Sequence, residues 1–121
     1  MTIPLLICDD SGMARKQIAR SLPEELGVEI SYATNGEEGL EVIRAGKGEL
    51  VFLDLTMPKL DGYGVLEALR AENIKCMVIV ISADIQPEAQ ERVIKGGAIA
   101  FIRKPIDVDE LTSVLRQFGF I

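Results

Sequence analysis

The chain has 121 residues, the length of one domain with its own core, and 48% of them are hydrophobic, which excludes a disordered chain. Its net charge of −6 argues against a nucleic-acid interface, which needs a basic face. The sequence contains no histidine, which excludes Ser-His-Asp and Cys-His catalysis and His-based zinc sites.

The N-terminus lacks the basic region of a signal peptide, and no apolar stretch approaches membrane-spanning length. We therefore expect a cytoplasmic protein without membrane contact. Cys8 and Cys76 are too few for a disulfide scaffold, and we place them at opposite edges of the predicted sheet. They are expected to be free thiols.

The first predicted elements are a strand at 3–9 and a helix at 13–22. The strand is a short apolar run that ends in two aspartates. In the helix, Ile18 and Leu22 have the i, i+4 spacing of one helix face, and Met13 falls on a nearby face.

The next segment, 28–33, alternates apolar and polar residues, which is typical of an edge strand exposed on one face. Asn35-Gly36 is predicted to be a turn. Leu40 and Ile43 indicate a short amphipathic helix, which Gly46 should end.

An apolar run at 50–53 leads directly into Asp54 and predicts a buried strand. Asp61 is a plausible N-cap for the helix that follows, which has an apolar stripe of Val65, Leu66 and Leu69. The uniformly apolar run 77–82 ends in Ser82 and predicts a central strand.

The last predicted elements are a helix at 87–95, a strand at 99–103 and a final helix capped by Asp107. The apolar stripe of the final helix comprises Leu111, Val114, Leu115 and Phe118. Five strands alternate with five helices, which requires parallel pairing with right-handed crossovers. The predicted fold class is a doubly wound α/β domain over residues 1–121, with sheet order 2-1-3-4-5.

This strand order makes Asp9, Asp10 and Asp54 converge, because the first and third strands are neighbours at the switch point of the sheet. Ser82 and Lys104 follow the fourth and fifth strands at the same edge. Carboxylates a few ångströms apart repel by roughly 4 kcal/mol per pair at an effective dielectric of 20. Either one carboxylate is protonated or a cation is present, and Mg²⁺ fits because it takes carboxylate oxygens and shares itself with phosphate.

A carboxylate beside Mg²⁺, a lysine and a serine hydroxyl is similar to a phosphoryl-transfer site. Asp54 would be the nucleophile and would form an aspartyl-phosphate. Lys104 and the metal would neutralise the phosphoryl oxygens, and the Ser82 hydroxyl would donate to one of them. No general base is required, because a carboxylate is already ionised at pH 7.

The pattern of Asp9-Asp10, Asp54, Ser82 and Lys104-Pro105 resembles the receiver domain of two-component response regulators, a flavodoxin-like (βα)5 fold. The resemblance covers the whole chain. It implies that Asp54 accepts a phosphoryl group from a partner's phosphohistidine.

The resemblance also implies the metal ligands. Mg²⁺ would be held by Asp10, Asp54 and the backbone carbonyl of Thr56, with Asp9 acting mostly through water. The Lys104–Pro105 bond would be cis.

The resemblance further assigns switch and tuning residues. Ser82 would bond the phosphoryl group and shift toward it, and the Phe101 ring would then swing inward, although Phe101 could instead be a simple core aromatic. Thr56 and Asp84 would tune phosphate lifetime. We expect Asp84 to slow phosphorylation by repulsion.

The output face implied by the resemblance is the fourth helix, fifth strand and fifth helix, at about 86–118. The expected partners are a sensor histidine kinase or phosphotransfer protein and a downstream effector. A chemotaxis-related pathway is one that would use such partners. The chain is expected to be a monomer or a phosphorylation-linked dimer. It would be either a free-standing receiver or the N-terminal receiver of a longer regulator, and not a turnover enzyme.

Two alternatives use related chemistry or the same sheet order. A small Mg²⁺-dependent hydrolase of haloacid-dehalogenase type also forms an aspartyl-phosphate, but it needs a second Asp where this chain has Thr56. A flavodoxin-like FMN carrier needs a phosphate-cradling loop after the first strand. This chain has Asp9-Asp10 there, which would repel phosphate.

Overall fold

A computed structural model describes residues 2–84 and 86–121 and shows five strands alternating with five helices. The elements in chain order are β1 (Ile3–Cys8), α1 (Gly12–Arg20), β2 (Val28–Ala33), α2 (Gly36–Arg44), β3 (Leu50–Leu53), α3 (Gly62–Ala71), β4 (Met77–Ser82), α4 (Pro87–Lys95), β5 (Ala100–Arg103) and α5 (Val108–Gln117).

The five strands form one parallel sheet in the order β2-β1-β3-β4-β5, which confirms the predicted fold class and order. The register aligns the carboxyl ends of the strands. Cys8, the last residue of β1, pairs with Ala33 on one side and Leu53 on the other. Residues that follow these strands therefore emerge at a common edge.

Two apolar layers cover the two faces of the sheet, because successive strand residues point to opposite faces. Leu6 and Cys8 belong to the layer packed against α2, α3 and α4. Leu5 and Ile7 belong to the layer packed against α1 and α5. All four are at most 1% exposed, as expected for a strand buried on both faces.

The first helix differs from its prediction. It begins at Gly12 because Ser11 caps it, with the Ser11 hydroxyl accepting the Ala14 N–H at 3.2 Å, and it ends at Arg20. Met13 was expected near the apolar face but is 81% exposed. It lies in the first turn of α1, beside the edge where the strands end in polar residues, so no apolar strand covers it.

The prediction of a turn at Asn35-Gly36 was wrong. Asn35 is the N-cap of α2, and its Oδ1 accepts the N–H of Glu38 at 2.9 Å. Asn is common in turns and in N-caps for the same reason: its side chain bonds nearby backbone N–H groups. What distinguishes a turn from a helix start here is a tertiary contact, the hydrogen bond from the Gly36 N–H to the Leu60 carbonyl.

Within residues 2–84 and 86–121, none of the helices is long and apolar enough to cross a membrane. Cys8 and Cys76 are both free thiols.

Candidate functional site

Four strands end at the same edge of the sheet, and the residues at or just after their last positions are polar or charged. The Asp54 N–H donates to the carbonyl of Cys8 at 3.0 Å, so Asp54 stays in register one residue beyond β3. The Lys104 N–H donates to the carbonyl of Ser82 at 2.9 Å, which aligns the ends of β5 and β4 in the same way. The side chains of Asp9, Asp54 and Lys104 meet in one crevice, and Ser82 ends β4 at the same edge of the sheet.

The three predicted carboxylates converge. One oxygen from each of Asp9, Asp10 and Asp54 lies within 4.8 Å of the others. Asp9 and Asp54 are buried, at 1% and 7% exposed, whereas Asp10 is exposed. The cluster therefore has a buried floor and one carboxylate at its open side.

Lys104 supplies the positive charge of the cluster. Its Nζ lies 2.7 Å from Asp9 Oδ2 and 3.6 Å from Asp54 Oδ1. Burial acts to lower the pKa of Lys104, but the hydrogen bond with Asp9 and the charge of Asp54 outweigh it and leave the pKa raised. The Lys104–Pro105 bond is cis, as the family resemblance implied.

The two oxygens of Asp54 differ in their surroundings. Oδ1 accepts the Leu55 N–H at 2.9 Å and faces Lys104. Oδ2 has no hydrogen-bond donor within the described residues, and it is reached by solvent because those residues contain no buried, unpaired side-chain oxygen. Of the two oxygens, Oδ2 is therefore the one that the described residues leave unbonded and open to solvent.

The pKa of Asp54 is raised above its ordinary value. Burial is the main cause and the Asp9 carboxylate adds to it, while Lys104 and the Leu55 N–H offset only part of the effect. The site thus holds more negative charge than its own lysine compensates.

Asp9 is held from three directions. Its Oδ1 accepts the Ser11 N–H at 2.9 Å and its Oδ2 accepts from Lys104. Its backbone carbonyl accepts from Nη1 of Arg15 at 2.8 Å. The sequence prediction missed Arg15. Its position one helical turn after the Ser11 cap was the available signal, because that spacing directs a long side chain back toward the start of the helix.

Ser82 is buried, and its hydroxyl accepts the Asp84 N–H at 3.1 Å, which leaves the hydroxyl proton available to a ligand. Asp84 is exposed, and its Oδ1 accepts the N–H of Gln86. Phe101 is half-buried and packs against the layer that includes α2, α3 and α4, so its ring is not fully outward. Thr56 is exposed at the start of the loop after β3.

Cys8 is the buried last residue of β1 and directly precedes Asp9. Burial, with contributions from Asp9 and Asp54, raises the pKa of Cys8 to about 12, so the thiol stays protonated. Its sulfur lies 3.6 Å from Met57 Sδ and 3.5 Å from the Asn35 carbonyl oxygen, so its single S–H can donate to either of them.

The donor set fits a magnesium ion. The three carboxylates offer oxygen ligands, which Mg²⁺ prefers, and the exposed Asp10 leaves space for the waters that this ion retains. Burial is the main cause of the raised pKa of Asp54, but the Asp9 and Asp10 carboxylates add to it, and a bound cation would offset their share.

Fold and site together define a flavodoxin-like α/β domain with an acidic, lysine-containing crevice at its switch point. The family model of the response regulator receiver domain matches residues 5–116 of this chain. The chain belongs to this family. Receiver domains are signalling domains of two-component systems, where they interact with histidine kinases and effector domains, and they generally bind Mg²⁺ at an acidic pocket.

Two curated relatives illustrate the family. Protein-glutamate methylesterase/protein-glutamine glutaminase 3 of Geobacter sulfurreducens is 40% identical over 104 residues, which cover 85% of this chain and 28% of that protein. The probable C4-dicarboxylate response regulator DctR of Bacillus subtilis is 30% identical over 115 residues, covering 94% of this chain and 51% of that protein. The chain thus spans at most about half the length of these relatives.

Solved structures agree with this assignment. The receiver domain of NtrX from Brucella abortus has a TM-score of 0.82 at 30% identity, covering 93% of this chain and 95% of that one. The response regulator domain of Thermotoga maritima CheB has a TM-score of 0.83 at 25% identity, covering 97% and 96%.

Proposed function

We propose that this domain is the phosphoacceptor of a two-component phosphorelay and that Asp54 receives the phosphoryl group from a partner's phosphohistidine. The observation that carries the proposal is the free Oδ2 of Asp54, which lies in a crevice shared with two further carboxylates and Lys104. This arrangement combines a nucleophile with groups that compensate phosphoryl charge.

In the proposed step, Asp54 Oδ2 forms a bond to phosphorus while the bond from phosphorus to the imidazole nitrogen breaks. The electron pair of the broken bond stays on the departing imidazole, which takes a proton from solvent. Asp54 needs no general base, because the carboxylate is the ionised form that attacks. The product is an acyl phosphate on Asp54.

Lys104 and Ser82 would stabilise the transferring group. Lys104, already 3.6 Å from Asp54 Oδ1, is placed to neutralise a phosphoryl oxygen, and the Ser82 hydroxyl retains a proton to donate. Bound Mg²⁺ would supply further charge neutralisation at the phosphoryl oxygens. Asp10, Asp54 and the Thr56 backbone carbonyl would hold it, with Asp9 contributing through water.

The consequence of phosphorylation would be a change of population between two conformations. The negative charge added to Asp54 would attract the Ser82 hydroxyl. The movement of Ser82, together with a movement of the Phe101 ring, would alter the face formed by α4, β5 and α5. A histidine kinase or phosphotransfer protein would donate the phosphoryl group, and an effector would read this face. Because the phosphoryl group ends on the domain itself, the domain would act as a signalling element and not as a turnover enzyme.

The relatives with methylesterase names and the similarity to a CheB receiver domain support a chemotaxis-related pathway. In such a pathway this chain would be the signalling domain.

The direct test uses phosphoramidate, a small phosphorus–nitrogen donor, with Mg²⁺ and intact-mass spectrometry. Wild type should gain one phosphoryl group and Asp54→Asn none. Asp61→Asn is the matched control, because Asp61 is an exposed N-cap and Asn also caps helices. Equal phosphorylation of wild type and Asp54→Asn would refute the assignment, and steady release of phosphate from p-nitrophenyl phosphate would favour a hydrolase.

A further inference from the structure

The N-terminus of α2 is fixed by side-chain caps. Glu38 Oε1 accepts from both the backbone N–H and the hydroxyl of Thr34, at 2.8 and 2.7 Å. Asn35 accepts the Glu38 N–H through Oδ1, and its carbonyl oxygen lies 3.5 Å from the Cys8 sulfur. Asn35 is only 5% exposed. This start of a helix is therefore a rigid part of the structure directly beneath the crevice.

The loop formed by residues 55–61, which connects β3 to α3 and carries Thr56, rests on this helix start. The Gly36 N–H donates to the Leu60 carbonyl at 3.0 Å. This bond ties the loop to α2, whereas the bonds from the Gly62 N–H to the Leu55 carbonyl and from the Val65 N–H to the Asp61 carbonyl join it to α3, the helix it leads into. The bond also satisfies one of the N–H groups that a helix N-terminus leaves unpaired.

The contact between Gly36 and Leu60 leaves no room for a side chain. A Cβ added at Gly36 would overlap the Leu60 carbonyl oxygen and would lie 2.9 Å from both its carbonyl carbon and its Cβ. Real Cβ atoms do not approach backbone so closely, so any larger residue must displace one partner.

The partner that yields should be the loop. The helix start is held by the bonds of Thr34, Asn35 and Glu38, whereas Thr56 and Lys59 in the loop are exposed. The loop is also anchored at its start, because Leu55 and Met57 are buried and the Gly62 N–H bonds the Leu55 carbonyl. Pro58 and Lys59, next to Leu60, are exposed, so the loop can shift where Gly36 contacts it.

We propose that Gly36 is a positioning residue for the cation site: its N–H and its missing side chain set where the 55–61 loop lies, and thereby where the Thr56 carbonyl lies. This inference rests on the proposed function, in which that carbonyl is a Mg²⁺ ligand. Groups behind the ligands of a metal site typically change metal affinity by 10–100-fold when they are altered.

The first test compares Gly36→Ala with Gly48→Ala by Mg²⁺ titration calorimetry on unphosphorylated protein. A Cβ at Gly48 would also be crowded, 2.9 Å from Ile43 Cγ1, but at the opposite edge of the sheet. Both variants should unfold at lower temperature than wild type. Only Gly36→Ala should bind Mg²⁺ about tenfold more weakly. Phosphorylation of Gly36→Ala should need correspondingly more Mg²⁺ and should recover at saturation.

The second test needs no variant, so it remains informative if Gly36→Ala does not fold. If the loop and Gly36 move as a unit, Mg²⁺ binding must stabilise the bond from Gly36 to Leu60. Amide hydrogen exchange of Gly36 in wild type should slow at least severalfold with Mg²⁺. The Ala45 amide, which bonds Glu41 at the far end of the same helix, should not change.

The results separate the two levels of the proposal. Unchanged Gly36 exchange on Mg²⁺ binding, or equal Mg²⁺ affinity in Gly36→Ala and wild type, would overturn the role of Gly36 alone. Failure of wild type to bind Mg²⁺ or to be phosphorylated would overturn the proposed function itself.

Discussion

Opposite edges of this sheet each carry an ion pair. Where α2 and α3 end, Arg44 Nη2 lies 2.5 Å from Glu72 Oε2, with the two side chains 47% and 39% exposed. Where the strands end, Lys104 Nζ lies 2.7 Å from Asp9 Oδ2, but the Asp9 side chain is only 1% exposed. The two pairs have similar geometry and differ mainly in burial and in their neighbours.

The neighbours decide what each pair does. The hydrogen bond between Arg44 and Glu72 raises the pKa of the arginine and lowers that of the glutamate, so both charges are satisfied. Lys104 serves two buried carboxylates at once, and the pKa of Asp54 is raised despite it. A balanced exposed pair contributes only to the fold, whereas the buried group keeps an excess of negative charge that a bound cation can offset.

Replacing Lys104 should have the largest effect. Lys104→Met removes the cation that contacts the Asp9 and Asp54 carboxylates, and we expect the phosphorylation rate with phosphoramidate to fall about 10²-fold, the scale of losing one electrostatic contact to a transferring group. The rate is followed by intact mass at saturating Mg²⁺, at a temperature where circular dichroism shows the variant folded.

The control for this change is Arg44→Met, which removes a cation of similar length from the opposite edge. Its phosphorylation rate should match wild type, since Arg44 is distant from Asp54. A similar loss of rate in both variants would mean that Lys104 acts through general stability and not through the site.

Asp54→Asn should stabilise the unphosphorylated protein at pH 7 by about 1 kcal/mol, the usual scale for relieving one unfavourable buried group. The folded pKa of Asp54 is raised, so the folded state binds this proton more tightly and ionisation costs stability above that pKa. The gain should shrink as pH falls through the folded pKa and vanish below the unfolded value. Urea unfolding between pH 3 and pH 8 measures it.

Magnesium provides the internal check on this prediction. Mg²⁺ should stabilise wild type more than Asp54→Asn and so reduce the difference between them at pH 7. Two outcomes would contradict an unfavourable ionised Asp54 at this edge: an Asp54→Asn variant less stable than wild type at pH 7, or a stability gain that grows toward low pH.

The sheet and its order were predictable because local and tertiary signals agree. The runs at 50–53 and 77–82 are uniformly apolar, and only central parallel strands bury both faces. The convergence of Asp9, Asp10 and Asp54 followed from the same order.

Contacts between distant segments were not predictable. Asn35-Gly36 has the composition of a turn, and its role as a helix start depends on Leu60, which is 24 positions away. The exposure of Met13 likewise depends on where α1 sits on the sheet. One sequence without its packing contains no record of these contacts.

The two edges also differ in backbone strain. Lys59 in the 55–61 loop and Asn73 after α3 both have positive φ, 66° and 55°. Such conformations cost a lysine roughly 1–2 kcal/mol, while Asn tolerates them well. Glycine relieves this strain but loses more conformational entropy on folding. The net result should be that Lys59→Gly stabilises the folded protein by about 0.5 kcal/mol, whereas Asn73→Gly changes its stability little. Urea unfolding of both variants tests this; an equal gain for both would show that Lys59 is not strained.

The smallest effect should come from Glu72→Gln, which removes the exposed ion pair but keeps the size of the side chain. Holding two mobile side chains together costs entropy that offsets most of the attraction, so we expect a barely measurable loss of thermal stability. That loss should disappear at 1 M NaCl, where the Debye length is about 3 Å. The effect of Lys104→Met on phosphorylation should survive the same salt, because its partners are buried. If salt abolished both effects equally, burial would not be what distinguishes the two edges.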